Sequence, residues 1–531
     1  MPVLPPVDLF TLFYNFLRQR STLTMSQQPP LDPAPDPFKK LPPEVFRLIV
    51  SQFCGHCCGE YKQPFGVDNS VQATTDLYKF CFVSRRFRDA CQPVLFHYFG
   101  IEYIGYRSRS KNVRYRLLPF LRTIASRPDL GRTVKVVSLE WEVLNDLNYF
   151  GGHAIFEKCA NSLGTSGAAI LEKSRNGQDP STDAIRESFL LGRSTPEGTK
   201  FGECLPVMAG ELLAMMFAIL PNLTYLGVTS GGGSIRTSDI QNGGDWRLDV
   251  SLLTLGALGI TTLGLKTLKS YHAIPQLLSR ATSLETLISG GHVNGYVPDI
   301  PSLKCLHLLS GWGRHGPTAR YLPQCTGQLT TFSYTSAEPH ILTFVEYLDQ
   351  PKFHESLESV HLDFQVRSSD AKEPMPSLKS FTKLKTLLLA ARPIYGCDST
   401  SFEHQSLLDI LPPNIESLTL VGENLPASPN HRLYQDMLRL LEQKSKMFPR
   451  LRRITSDSSH FSGPILRGAF EQAGVALIHQ ELLRISKRYT AEIGFRDEAD
   501  FRGWLEEYYR DTGIDACCQI FPDEMSPDPD L

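Results

Sequence analysis

The sequence predicts an α/β protein in which a small all-α unit is followed by an irregular solenoid of strands and helices. Residues 38–99 carry apolar side chains at helical spacing. Beyond residue 100, a unit of the form aliphatic-x-x-aliphatic-x-apolar recurs along the chain. The length of 531 residues exceeds the usual size of one compact domain, which also favours several units or a solenoid.

The first predicted helix begins within the run Leu41-Pro42-Pro43-Glu44. Proline fits a first helical turn because an N–H group at that position would have no acceptor within the helix, so its loss costs nothing. Glu44 places a carboxylate at the positive end of the helix. An apolar stripe follows at helical spacing: Val45, Leu48, Ile49 and Phe53.

A second stripe, formed by Leu77, Phe80 and Cys81, leads to Ser84, the predicted N-cap of a third helix. The apolar residues of that helix are Phe87, Ala90, Cys91, Val94 and Leu95. Three helices this short cannot bury all their apolar faces against one another. The surplus is therefore expected to contact a partner or the following domain.

The order of Leu-Pro-x-Glu, Val-Ser-x-x-Phe and Pro-x-Leu-Phe within residues 38–99 resembles an F-box. An insertion at 54–76 departs from that family, in which only a few residues join the first two helices. The resemblance implies docking onto the Skp-type adaptor of a Skp–cullin–F-box ubiquitin ligase. The implied adaptor-binding residues are Leu41, Pro42, Glu44, Ile49, Val83, Ser84 and Phe87. An ordinary small helical bundle is the alternative.

The repeated unit predicts short strands. Its fourth and sixth positions point to one face of a strand, so stacked copies bury them as a ladder, while the intervening segments return as helices. Six clear copies begin at Leu223, Leu303, Leu329, Leu357, Leu384 and Ile415. Weaker copies begin at Val134, Leu265, Leu284 and Leu451.

The array resembles an irregular leucine-rich-repeat horseshoe of the kind found in fungal F-box proteins, because most copies recur at leucine-rich-repeat spacing. It departs from that consensus where Asn is expected after the strand, at Gly311, Gln365, Arg392 and Glu423. The alternative is an α/β domain in which leucines merely mark buried strands.

The predicted organisation has four parts. Residues 1–37 form a disordered tail, and 38–99 form the F-box-like unit. Residues 100–480 form the repeat domain, with insertions near 145–206 and 229–247. Residues 481–531 form a helical cap and an acidic tail.

One residue between the two buried positions of each strand is predicted to face the concave side and to bind a protein substrate. The predicted contacts are Lys269, His307, Ser333, His361, Leu388 and Thr419, in a row that also includes Gly227 and Ile288. This row is nearly neutral, which favours a protein segment over nucleic acid.

The charge balance favours neither nucleic acid nor a membrane, since 54 basic residues stand against 56 acidic ones. The basic run from Arg107 to Arg116 is interpreted as a solvated loop. The apolar run from Leu9 to Leu17 is too short to span a membrane. Twelve scattered cysteines without a recognisable signal peptide indicate a cytoplasmic or nuclear location.

No catalytic signature, cofactor or metal is predicted. Cys54, His56, Cys57 and Cys58 are zinc-ligand types, but four ligands within five residues cannot easily surround one tetrahedral ion. Gly-x-Ser-x-Gly, His-Glu-x-x-His and dinucleotide fingerprints are missing from the sequence. The leading hypothesis is a non-catalytic substrate adaptor of a Skp–cullin–F-box ligase. The alternatives are a scaffold that acts without cullin or degradation, and an enzyme built on a solenoid.

Overall fold

The computed structural model describes residues 42–58, 77–100, 116–140, 152–175, 205–229, 252–270, 275–289, 298–310, 322, 325, 329–336, 347–364, 375–395, 405–421, 427–457 and 464–479. The predicted tail at 1–37, the predicted cap and acidic tail at 481–531 and most of the insertions at 54–76 and 229–247 lie outside these residues.

Within the described residues, twelve strands form one parallel sheet whose strand order follows the sequence. The strands are β1 Tyr98–Gly100, β2 Val136–Glu140, β3 Tyr225–Thr229, β4 Thr267–Ser270, β5 Thr286–Ser289, β6 Cys305–Ser310, β7 Thr331–Ser336, β8 Ser359–Phe364, β9 Thr386–Ala390, β10 Ser417–Val421, β11 Arg453–Ser456 and β12 Ala476–His479. All ten predicted copies form strands, which confirms a solenoid-like α/β fold. The first and last strands were not predicted.

Helices precede and connect the strands. They are α1 Pro43–Ser51, α2 Gly55–Cys58, α3 Arg85–Leu95, α4 Leu118–Ser126, α5 Pro128–Gly131, α6 Gly152–Ser162, α7 Thr165–Arg175, α8 Leu205–Ile219, α9 Leu252–Ala257, α10 Pro275–Arg280, α11 Pro351–His354, α12 Arg392–Tyr395, α13 Leu407–Ile410, α14 Ala427–Met447 and α15 Pro464–Gln472. None of the helices in the described part of the chain combines the length and the apolar character needed to cross a membrane.

The strand register aligns the fourth position of the repeats into a continuous buried row. Its members are Leu226, Leu268, Leu287, Leu306, Phe332, Val360, Leu387, Leu418 and Ile454. Each of these side chains is at most 1% exposed. In three of the weaker copies the sixth position is a buried serine, namely Ser270, Ser289 and Ser456. The ladder therefore tolerates small polar residues where the sequence pattern fades.

Backbone hydrogen bonds link the repeats where each strand begins. The carbonyl oxygen of Lys135 accepts from the N–H groups of Thr224 at 2.9 Å and Tyr225 at 3.0 Å. The same paired arrangement recurs at every step from His97 to Glu416. These paired bonds connect each repeat to the next along the whole array.

Side chains reinforce these links just before the strands. Each one donates to a carbonyl oxygen of the preceding repeat at 2.7 Å: Asn222 to Arg132, Ser302 to Leu284 and Asn414 to Thr382. All three follow a proline in the sequence, at the point where a helix or turn gives way to extended chain.

The N-terminal helical unit, residues 42–58 and 77–97, has its own core, separate from the core of the strand array at residues 98–479. Helix α1 buries Phe46 and Val50, not the predicted stripe that begins with Val45 and Leu48. Both sets have helical spacing, and packing of Phe46 against Phe87, with ring centroids 4.8 Å apart, selects the face that is buried.

The two cores meet where α3 leads into β1. The ring of Phe99 stacks on that of Phe120 with 3.8 Å between centroids, and Phe96 lies 6.2 Å from the same ring. Helices α6 and α7 lie within the predicted insertion at 145–206, and α6 buries Ile155 and Phe156 in the core of the array. At least this part of the interval is integrated into the array.

Candidate functional site

Helix α1 presents the first group of predicted adaptor-binding residues. Leu41 lies outside the described residues. Pro42 is the N-cap residue, is exposed, and its carbonyl oxygen accepts from the N–H of Phe46 at 3.0 Å. Glu44 is exposed in the first turn, as predicted, and Ile49 is half-buried. The start of α1 is therefore accessible to a partner.

The second group surrounds the start of α3. Ser84 caps this helix as predicted, because its Oγ accepts from the N–H of Phe87 at 3.2 Å. Val83 is 36% exposed, whereas Phe87 is only 3% exposed and packs on Phe46. Phe87 thus supports the surface from below, where its side chain cannot contact a partner directly.

Five large apolar side chains are exposed on the helical unit, a set here called the exposed apolar patch. It consists of Val45 at 39%, Leu48 at 66%, Tyr78 at 56%, Phe82 at 68% and Val83 at 36% exposure. The rings of Tyr78 and Phe82 meet edge to face at 4.9 Å. Burying large apolar side chains is favourable, so exposure of five of them in one small unit is typical of an interaction surface. Sequence reasoning identified only Val83 of these as an adaptor contact.

The predicted substrate-binding residues are brought together by the register as one row on the sheet face opposite the core helices, here called the open face. Lys269, His307, Ser333, His361, Leu388 and Thr419 follow one another along it, with Ile288 after Lys269. Lys269, His361, Leu388 and Thr419 are partly exposed. His307 and Ser333 are buried at 7% and 1% exposure, so a partner cannot contact them on this surface.

Burial at the centre of this row has an electrostatic consequence. Desolvation lowers the pKa of the His307 imidazole to about 4. Ser333 lies in register between His307 and His361, but its Oγ has no hydrogen-bond partner in the described part of the chain.

A second row on the open face was missed by the sequence reasoning. The third position of seven successive repeats carries small side chains in register: Thr267, Thr286, Cys305, Thr331, Ser359, Thr386 and Ser417. All are at least partly exposed, and six of them are hydroxyl residues. This hydroxyl row can donate and accept hydrogen bonds without adding charge. The recurrence of hydroxyl residues at this position can be recognised in the sequence only when the repeats are aligned by their fourth position.

Cys54, His56, Cys57 and His97, here called the Cys–His cluster, bring their donor atoms within 4.8 Å of one another. The sequence argument against a metal assumed that all four ligands would come from five adjacent residues. That assumption is wrong, because the fold supplies His97 from just before β1, while the side chain of Cys58 lies outside the described set. Burial raises the pKa of the Cys54 thiol to about 12 and lowers that of the His97 imidazole to about 4.

A charged groove of about 440 Å³ lies where β4, β5 and β6 begin. Its charged residues are Lys266, Glu285 and Lys304, and Glu285 is 2.7 Å from Lys266 and 3.5 Å from Lys304. Hydrogen bonding from Lys266 lowers the pKa of the Glu285 carboxyl. The carboxylate thus offsets much of the positive charge that would attract an anion.

A buried polar network joins α12, α13 and α14. The Asp436 carboxylate is 5% exposed and accepts from the Tyr395 hydroxyl at 3.0 Å and from the N–H of Leu407 at 2.8 Å. Burial raises the pKa of Tyr395 well above its usual value, and the adjacent Asp436 charge acts in the same direction. These contacts hold helices together and lie away from the open face.

Two further predictions fall outside the described residues: the glycine-rich run Gly231-Gly232-Gly233-Ser234 and the Cys517-Cys518 pair. The basic run interpreted as a solvated loop also lies outside them up to Arg114, but its last member, Arg116, is described, and its Nη2 donates to the Gly100 carbonyl at 2.7 Å. Models of known protein families do not match this chain, and a search of curated proteins found no match either.

Proposed function

We propose that the protein is a substrate-recognition adaptor of a Skp–cullin–F-box ubiquitin ligase. The observation that carries the proposal is the exposed apolar patch. It lies on the same helical unit that carries the Leu-Pro-x-Glu and Val-Ser-x-x-Phe runs. A Skp-type adaptor covering that patch would bury Leu48 and Phe82, each worth roughly 1.5–3 kcal/mol if fully buried.

Separation of the two cores supports a division of labour. The helical unit packs around Phe46 and Phe87, whereas the array packs around its own aliphatic ladder. A partner on the apolar patch would therefore leave the open face free. In this role the chain contributes proximity between a substrate and the ubiquitin-transfer machinery, with no bond chemistry of its own.

The open face is proposed to bind the substrate. Its hydroxyl row and the partly exposed His361, Leu388 and Thr419 form a surface with few charges. Such a surface favours an extended protein segment, whose amide groups can exchange hydrogen bonds with the hydroxyls. Nucleic acid would require a row of cations to contact its phosphates.

The proposal is tested by replacing Leu48 and Phe82 together with Ser in the full-length chain. Both side chains are more than 60% exposed, at 66% and 68%, so the variant should fold normally. We expect affinity purification to recover at least tenfold less Skp-type adaptor and cullin than the wild type does. Ile465→Ser is the matched control, because Ile465 is 83% exposed on the strand array.

The variant Thr386→Trp tests substrate binding on the open face independently of adaptor binding. Thr386 is exposed in the hydroxyl row, so Thr386→Trp should reduce substrate recovery while adaptor and cullin stay at wild-type levels. Adaptor without cullin in the wild-type purification would favour the scaffold hypothesis. Unchanged adaptor recovery in the Leu48 and Phe82 variant, or no adaptor with the wild type, would refute the proposed docking.

A further inference from the structure

The Cys–His cluster has the spacing of a closed metal site. Cys57 Sγ lies 3.3 Å from His97 Nδ1 and 3.7 Å from His56 Nδ1, and Cys54 Sγ lies 3.9 Å from His97 Nδ1. Tetrahedral zinc holds sulfur at about 2.3 Å and nitrogen at about 2.0–2.1 Å, which places a sulfur and a nitrogen ligand about 3.5 Å apart. The observed separations bracket that value.

Local structure brings the first three ligands to one point. Helix α1 ends at Ser51, and the N–H of Cys54 donates to the Ser51 carbonyl at 3.1 Å. The single turn of α2 then carries His56 and Cys57. Cys54 and Cys57 are three residues apart, the spacing that puts two side chains on the same side of a helical turn.

The fourth ligand is held by the sheet. The N–H of His97 donates to the carbonyl of Val94 at 3.0 Å, and its own carbonyl accepts from Lys135 and Val136, each at 2.9 Å. His97 is therefore the first step of the backbone ladder that links the repeats. Its position is fixed by contacts that do not involve the other three ligands.

We propose that the Cys–His cluster binds one zinc ion, which ties the segment after α1 to His97, the residue that leads into the first strand of the array. Two thiolates balance the charge of the dication, and two neutral imidazoles complete the tetrahedron. Sulfur ligands select zinc over magnesium and calcium, which prefer oxygen. Four protein ligands leave no open coordination position, so the role is structural. Cys54 is buried and Cys57 is exposed, so solvent reaches the cluster from the Cys57 side.

The test measures zinc in the full-length protein, purified with a reductant and passed through a desalting column after addition of zinc. We expect about one zinc per chain in the wild type and at least a tenfold lower content in Cys57→Ser. Because Cys57 is exposed, its replacement should not disturb packing. Cys81→Ser, in the same unit but outside the cluster, is the matched control and should keep its zinc.

Two further measurements identify the site. Cobalt substituted for zinc should give the visible bands of a tetrahedral ion and a thiolate charge-transfer band that Cys57→Ser weakens. A chelator should lower the unfolding midpoint of the wild type but not that of Cys57→Ser. A wild-type chain that retains no zinc, a Cys54–Cys57 disulfide in the reduced preparation, or wild-type zinc content in Cys57→Ser or His97→Ala would overturn the proposal. None of these outcomes depends on adaptor binding.

Discussion

The strand array and the helical unit bury their apolar side chains to different extents. In the array, the fourth position of successive repeats is at most 1% exposed from Leu226 to Ile454. In the helical unit, nine residues form the core, while five large apolar side chains stay exposed in the patch. Stacking lets each strand cover its neighbour, whereas three short helices have no further layer to cover them. The array covers its apolar side chains internally, and the helical unit leaves some of them exposed, as the proposed adaptor docking requires.

The largest effect is expected from truncating a phenylalanine in the array. Phe332 is fully buried in the central strand β7, so Phe332→Ala should lower the free energy of unfolding by about 3–5 kcal/mol. Phe82→Ala, at a residue 68% exposed on the helical unit, should change it by less than about 0.5 kcal/mol. Denaturant titration of both variants measures the difference. Equal losses would remove the contrast between the two regions.

Acid should destabilise the array through His307. The pKa of its imidazole is lowered from 6.5 to about 4 in the folded chain. The stability that the neutral imidazole allows is therefore fully present above pH 6.5 and is lost as pH falls towards 4. In that window the unfolded state binds a proton that the folded state does not, which costs roughly 3 kcal/mol by pH 4. His307→Gln should flatten this part of the stability profile, measured by urea unfolding at several pH values. An unchanged slope would show that His307 is not the group responsible.

A smaller loss in the free energy of unfolding should follow from removing one buried hydrogen bond of the array. Tyr395→Phe deletes the hydroxyl that donates to Asp436 at 3.0 Å and should cost about 1–2 kcal/mol. Tyr78→Phe is the control in the helical unit, where the ring is 56% exposed and the change should be negligible. Thermal unfolding of the two variants gives the comparison. A larger shift for Tyr78→Phe would contradict it.

The smallest loss of stability should come from removing a helix cap, and it should be confined to the helical unit. Ser84→Ala removes the N-cap of α3 and should cost about 1 kcal/mol. Amide hydrogen exchange should then accelerate along Arg85–Leu95 and remain unchanged in the strands. Ser406→Ala, which removes the cap of α13, should accelerate exchange in the array instead. Faster exchange in both regions with either variant would show that the two units unfold together.

Strands were predictable wherever two aliphatic residues mark the fourth and sixth positions, as in Leu387 and Leu389 of β9. Strand β12 offers only Leu477 as a core residue, and the three residues of β1 carry no aliphatic side chain, so the pattern could not find them. Periodicity alone also could not choose which apolar face of α1 is buried, because that depends on Phe87 from another helix.

The candidate sites were predictable only in part, for a related reason. The sequence placed Lys269 and Thr419 in the open-face row correctly, since register follows from the repeated unit. It could not foresee that Ser333, in register between His307 and His361, is buried, because burial depends on the folded surroundings. His97 lies forty residues after Cys57, so their 3.3 Å approach exists only in the folded chain.

The constant register sets a fixed distance between the ends of the open face. From Lys269 on β4 to Thr419 on β10 there are six strand steps, and at a spacing of about 4.8 Å per step they span about 29 Å. An extended chain rises about 3.3 Å per residue, so a segment of about nine residues is needed to contact both ends. The segments between strands vary in length while the strand spacing stays constant. Insertions in those segments therefore leave the distance from Lys269 to Thr419 unchanged.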